Sequence, residues 1–311
     1  MRILVTGGTG FVGGPVLRAL SSAGHAVRLA LRADRPGLPG DAVVVGDIGP
    51  STDWRRALEG MEAVVHLAAR VHVMRDHAGG AAEFRRTNTE GTLQLARAAA
   101  AAGARRFVYL STIKVNGEAT TGRPFRADDK PNATDAYSQS KLAAEAGLLE
   151  VRGLEPVIIR PPLVHGPGAK GNLARFCRLA RSGVPMPFGA IDNRRDLVGV
   201  ANLANLVERC VSHPRAAGQV FLVSDCEAMS TPRLYRLIAG ALGRPARMID
   251  VPVTLMRVMA RPLGLSGEID RLTQSLELDV AKTRELLGWH PQVPAVAGIA
   301  EMARASLAGV S

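Results

Sequence analysis

Tyr137-Ser138-Gln139-Ser140-Lys141 sets a phenol and an amine four residues apart. On a helix that spacing puts both side chains on one face, one turn from each other. Thr134 and Asp135, just upstream, can cap such a helix. Free tyrosine titrates near ~10, too high to take a proton at neutral pH. A fixed ammonium one turn away favours the phenolate, and the pair then becomes an acid–base device. Y-x-x-x-K alone is common on ordinary helix surfaces. The run Phe107-Val108-Tyr109-Leu110-Ser111-Thr112 narrows the reading. A buried strand there delivers a hydroxyl to a cleft at its carboxyl end. Thr112 and Ser111 both offer a hydroxyl there for hydrogen-bonding a reacting oxygen.

A second chemical feature opens the chain, in Val5-Thr6-Gly7-Gly8-Thr9-Gly10-Phe11-Val12-Gly13. Apolar Ile3, Leu4 and Val5 predict a short buried strand, and an amphipathic helix follows from about Gly10. The turn between them, with Gly7, Gly10, Phe11, Val12 and Gly13, points backbone N–H groups and a helix N-terminus at an anion. In this position the anion is the pyrophosphate of a dinucleotide. The positive nicotinamide of an oxidised cofactor joins the ammonium in favouring the phenolate, and phenol, amine and nicotinamide together imply proton and hydride transfer at a carbinol. At the end of the second strand an acid binds the adenosine ribose, whereas a base accommodates a 2′-phosphate. Leu31-Arg32 stands there, and Arg32 favours NADP(H) over NAD. His66-Leu67-Ala68-Ala69 ends the fourth strand, where small residues let a cofactor lie against backbone.

The elements that must position these groups alternate regularly. Short Val/Leu/Ile-rich strands are predicted at 2–6, 26–31, 42–46, 63–67, 105–111 and 155–160, with helices between them. One long alanine-rich helix is predicted over 81–102, stopped by Gly103. Continuous apolar strands separated by helices mean a parallel sheet covered on both faces. After Arg160 prolines break the pattern, before a helix over 198–211 and a strand over 220–223 resume it. The fold class is therefore α/β, a Rossmann-like doubly wound parallel sheet with a smaller, discontinuous mixed substrate-binding lobe. Residues 1–160 and 192–224 are assigned to the dinucleotide domain, and 161–191 with 225–311 to the lobe and carboxyl-terminal helices. The apolar run Val251–Met259 is read as core.

Composition excludes several other classes. At 311 residues and 47% hydrophobic the chain can bury one large core plus a lobe. No stretch of about 18 apolar residues predicts a membrane span, and the N-terminus enters a strand without a signal peptide. Cys177, Cys210 and Cys226 are odd in number and widely spaced, which suits reduced thiols in cytoplasm and gives no metal site. Net charge is +11, but the arginines are scattered and only 4% of residues are aromatic, which disfavours nucleic acid. Some arginines can attract an anionic diphosphate.

The spacing Gly-x-x-Gly-x-x-Gly, with the Thr112, Tyr137 and Lys141 set in order, resembles the extended short-chain dehydrogenase/reductase family, the NAD-dependent epimerases and dehydratases. Thr112 precedes Tyr137 by 25 positions, the separation this branch implies. The resemblance assigns Asp47 and Ile48 to the adenine, Leu67, Ala68, Ala69 and Pro162 to the cofactor's path, and Asn88 to stabilising the central sheet beside it. It implies a nucleotide-sugar substrate, held by Val73, Lys114, Asn172, Leu173, Phe188, Arg195 and Arg271, with a UDP-hexose first. His165 takes the place of a common tyrosine, as a positional contact before a second acid. Ile113-Lys114 replaces the Asp-Glu pair of sugar dehydratases, which disfavours dehydration. A UDP-sugar 4-epimerase ranks narrowly ahead of an NAD(P)H-dependent 4-ketoreductase of a UDP-4-keto-6-deoxy sugar. A non-catalytic NAD(P)-binding sensor ranks below both. Members of the family are often homodimers.

Overall fold

A computed structural model describes residues 1–35, 40–71 and 80–308. Val73 lies outside the described residues. The strands are β1 (Arg2–Thr6), β2 (Ala26–Leu31), β3 (Asp41–Val44), β4 (Ala63–His66), β5 (Arg106–Leu110), β6 (Glu155–Arg160), β7 (Leu163–His165), β8 (Leu197–Gly199) and β9 (Val220–Leu222). Seven of them form a wholly parallel sheet in the order β3-β2-β1-β4-β5-β6-β9. The order reverses between β1 and β4, and ligands of such sheets bind at that crevice. The helices are α1 (Gly13–Ser22), α2 (Arg55–Leu58), α3 (Gly80–Phe84), α4 (Thr92–Ala101), α5 (Ala136–Leu149), α6 (Asn172–Ser182), α7 (Val200–Ser212), α8 (Thr231–Ala241), α9 (Val253–Ala260), α10 (Ser266–Thr273), α11 (Ala281–Leu287) and α12 (Ala295–Ala308).

Strand alternation explains why both faces are covered. Ile3, Val5, Val65, Val108, Val157 and Ile159 pack with Val16, Leu20, Leu203 and Val207 on one side. Their neighbours Leu4, Val64, Phe107, Tyr109 and Ile158 pack with Leu95, Ala99, Ala144 and Leu148 on the other. A separate apolar cluster gathers Leu173, Phe176, Phe188, Tyr235, Ile238 and Ile299 from α6, α8, α12 and the segment after α6. No helix among the described residues is long and apolar enough to cross a membrane.

Three local features depart from expectation. The helix predicted over 81–102 runs from Gly80 to Ala101, but Arg85–Gly91 is wound as a π-helix between α3 and α4. β7 and β8 form a small parallel pair of their own. Each has three residues, too few for a period of two to register. The run Val251–Met259 is only partly core. Met256 is buried, while Leu255, Val258 and Met259 on α9 are exposed.

Candidate active site

The glycine turn leaves β1 at the sheet's reversal point. Gly7 has φ +70°, and a Cβ on it would stand 2.7 Å from the Ala68 nitrogen. A Cβ on Gly13 would lie 2.3 Å from the Gly8 carbonyl oxygen and 2.4 Å from that of Gly7. Neither position tolerates a side chain without the turn opening. Gly10 closes the turn by donating to the Gly7 carbonyl at 3.0 Å. Among the described residues, the N–H groups of Phe11 and Val12 have no protein acceptor. No side chain caps α1. An open helix N-terminus with free N–H groups is a cradle for a diphosphate. The loop after β4 closes one wall, with Leu67 donating to the Thr6 carbonyl at 3.2 Å and Ala68 to the Thr6 hydroxyl at 3.3 Å.

Arg32 and Asp47, expected at opposite ends of the adenosine, meet each other. Arg32 Nε lies 2.6 Å from Asp47 Oδ1, and both side chains are mostly exposed. Ile48 is partly buried, and its Cγ2 stands where a Cβ on Gly91 would fall, 2.7 Å away. Asn88 sits in the π-helical turn. Its side chain accepts from Arg70 N–H at 2.8 Å, donates to the Arg70 carbonyl at 3.0 Å and donates to Ser140 Oγ at 3.1 Å. It thereby ties the loop after β4 to α5. A π-turn carries one extra residue per turn, which rotates Asn88 into this junction.

α5 begins with a capping box. Asp135 Oδ1 accepts the Ser138 N–H at 2.6 Å, and the Asp135 N–H donates to Ser138 Oγ at 3.2 Å. Tyr137, Lys141 and Glu145 follow at helical spacing on the face toward β5 and β6. Lys141 is 1% exposed and donates to the Leu110 carbonyl, at the end of β5, at 2.7 Å. Burial pulls its amine down to about 7, against the opposing charge of Glu145. Burial pushes the Tyr137 phenol up to about 12, reinforced by the negative charge of Asp135. Partial removal from water disfavours the charged phenolate, and a positive charge one turn away acts against that cost.

Ser111 and Thr112 separate cleanly. Ser111 is buried, and its hydroxyl donates to Glu145. Glu145 is held in turn by Arg160, through Nε to both oxygens at 3.1 Å and Nη2 to Oε2 at 2.6 Å. Asn116 Oδ1 accepts from Arg160 Nη1 at 3.0 Å. Thr112 is half-buried, and its oxygen accepts the Lys114 N–H at 3.3 Å, which leaves the hydroxyl proton to donate. The Lys114 ammonium bonds Glu118 at 2.9 Å and the Asp135 carboxylate. The loop after β5 follows the loop after β6, Ile113 donating to the Pro161 carbonyl at 2.9 Å, with Pro162 buried beside it.

Candidate substrate residues divide by burial. Asn172, first residue of α6, and Arg271 on α10 are exposed. Arg195 is part-buried and donates to the Gln274 carbonyl at 2.9 Å. Leu173 is buried, and Phe188 packs 5.6 Å from both Phe176 and Tyr235. His165 is wholly buried, with Nε2 2.6 Å from Asp225 Oδ2. Asp225 also accepts from Gly199 N–H at 2.9 Å and Asn202 Nδ2 at 2.7 Å. Glu145, Arg160, Asn116, Asn202 and Asp225 escaped the sequence reading. A lone acid inside a helix signals a solvated face unless its partner is known, and the partners lie 15 to 60 positions away.

The family model "NAD dependent epimerase/dehydratase family" matches residues 3–224. The chain is 42% identical to UDP-glucose 4-epimerase of Vibrio cholerae, over 98% of the chain and 95% of that protein. It is 29% identical to 3-beta-hydroxysteroid dehydrogenase of Mycolicibacterium neoaurum, over 93% of the chain and 87% of that protein. The structure of Bordetella bronchiseptica WbmG in complex with NAD and UDP superposes with TM-score 0.76 at 23% identity, covering 97% of this chain and 93% of that one.

Proposed function

Because the chain belongs to the NAD dependent epimerase/dehydratase family, we propose that it is a 4-epimerase of a UDP-linked hexose. The observation that carries this reading is Lys141, buried against the end of β5 one turn from Tyr137. The 42% identity to a UDP-glucose 4-epimerase supports the substrate class. Bound oxidised nicotinamide supplies a hydride acceptor and a second positive charge beside the phenol. Phe11 and Val12, with the start of α1, hold the diphosphate of the dinucleotide. Asp47 and Arg32 flank its adenosine, while Leu67, Ala68 and Ala69 line its path. Tyr137 takes the proton of the C4 hydroxyl and later returns it. Thr112 donates a hydrogen bond to the same oxygen and keeps it in reach. Lys141 stabilises the phenolate through its charge. Asn172, Arg195 and Arg271 hold the nucleotide diphosphate, and Leu173 and Phe188, in the separate apolar cluster, support the lobe by packing.

Arg32 favours a second reading, an NADPH-dependent 4-ketoreductase of a UDP-4-keto-6-deoxy sugar. Its pairing with Asp47 weighs the other way, because a 2′-phosphate has to compete with a carboxylate already in contact. A non-catalytic sensor is disfavoured by the presence of Thr112, Tyr137 and Lys141 together. The deciding experiment follows nicotinamide absorbance while purified protein is given UDP-glucose and NAD. Formation of UDP-galactose with no net absorbance change supports the epimerase. Stoichiometric NADPH consumption with a UDP-4-keto-6-deoxy sugar supports the reductase. No turnover of either kind removes both.

A further inference from the structure

Thr6, His66 and Tyr109 stand side by side on β1, β4 and β5, paired in register as Thr6 with His66 and His66 with Tyr109. All three are buried. The two rings stack with centroids 5.8 Å apart and planes inclined by 16°. Hydrogen bonds fix the imidazole in one tautomer. Thr92 donates its hydroxyl to the Asn88 carbonyl at 2.7 Å, so it can only accept from His66 Nε2 at 3.0 Å. His66 Nδ1 then accepts the Thr6 hydroxyl at 2.6 Å, and Thr6 Oγ1 accepts the Ala68 N–H. Burial, then the charge of Lys141, pushes His66 down to about 3, and the ring stays neutral.

Lys141 Nζ lies 4.1 Å from the centroid of the Tyr109 ring. The acid one turn further along α5, Glu145, is taken by Arg160 and Ser111. We propose that Tyr109, its ring held by the neutral His66, is a positioning residue for Lys141, an aromatic seat that keeps the ammonium charged and aimed at Tyr137. An aromatic face suits this task better than a carboxylate. It attracts the cation through its quadrupole, yet neither cancels the field felt by the phenol nor draws the amine away as a strong acceptor. Burial has already brought Lys141 to about 7, so a small stabilisation decides whether it is charged at neutral pH. The titratable groups facing it are Tyr137 and Glu145 on α5, Tyr109 on β5 and His66 on β4. The inference rests on the acid–base reading of Tyr137 and adds what holds its partner.

The chain has five lysines, so the 13Cε titration of Lys141 can be followed directly by NMR and assigned through Lys141→Arg. The probe is a series at position 109: Tyr109→Phe, then mono-, di- and trifluorinated phenylalanine, which weakens the quadrupole at nearly constant volume. Tyr109→Phe is expected to titrate within a few tenths of a unit of the parent. Each fluorine lowers the titration, by about one pH unit across the series, and the alkaline limb of the turnover profile moves with it. A Lys141 titration that is flat across the series overturns the proposal. Unchanged turnover in Tyr137→Phe instead removes the acid–base reading and leaves the lysine result standing, so the two fail separately.

Discussion

Lys114, on the loop that carries Thr112, bonds the Asp135 carboxylate that caps the helix carrying Tyr137. Burial draws the ammonium down, but the carboxylates of Asp135 and Glu118 outweigh it and hold the amine above its ordinary value. The contact clamps the two hydroxyl-bearing elements together. Lys114→Ala is therefore expected to lower kcat about 10-fold through misplacement of Thr112 and Tyr137. Lys114→Arg recovers most of the loss, and NAD affinity by titration changes less than 2-fold (roughly) in both. Equal turnover in the alanine variant and the parent would show that the clamp is idle.

Tyr137→Phe removes one oxygen and keeps the ring against Phe84, whose centroid lies 5.9 Å away. Turnover is expected to fall by about 10³-fold or more, in the range of a lost acid–base group, with cofactor affinity nearly unchanged. Steady-state kinetics and a cofactor-binding titration separate the two.

Arg32→Ala tests the adenosine end. If Arg32 reads a 2′-phosphate, NADPH affinity drops about 10-fold, the loss of one charge-assisted hydrogen bond, and NADH affinity hardly changes. Fluorescence titration with both nucleotides measures this. The same loss for both means that Arg32 acts only through Asp47.

Lys141 links activity to stability. In the folded chain it titrates near 7, while its ordinary value is 10.5. Between these pH values the unfolded chain binds the extra proton, so this group makes stability rise with pH across that window. Below about 7 the cost of the buried charge is fully present. Lys141→Met is expected to abolish turnover, raise Tm by several degrees at pH 6.5 and flatten the slope from pH 7 to 10 (roughly a few kcal/mol of relief). Thermal unfolding across pH reads it.

Glu145 and Arg160 are 3% and 5% exposed in their side chains and bonded to each other through two nitrogens and two oxygens. Glu145→Ala leaves a buried guanidinium without its counter-charge and frees Ser111. A loss of about 3–5 kcal/mol in denaturant unfolding is expected. A change below about 1 kcal/mol would mean that water replaces the carboxylate.

The sequence by itself determined the alternation of strands and helices, the glycine turn and the one-faced spacing of Tyr137 and Lys141. These are local patterns. A period of two, a period of 3.6 and a tight turn leave marks within ten residues, as Ile3–Gly13 and Asp135–Lys141 do. Tertiary structure decided the bonding of Ser111 to Glu145, the pairing of Arg32 with Asp47 and the burial of Leu173, Phe188 and His165. It also exposed the outer face of α9, which hydrophobicity alone assigned to the core. Only the folded chain brings Ser111 to Glu145, His66 to Tyr109 and Asp225 to His165. Burial and charge then set the protonation of each group by its surroundings, which the order of residues along the chain does not record.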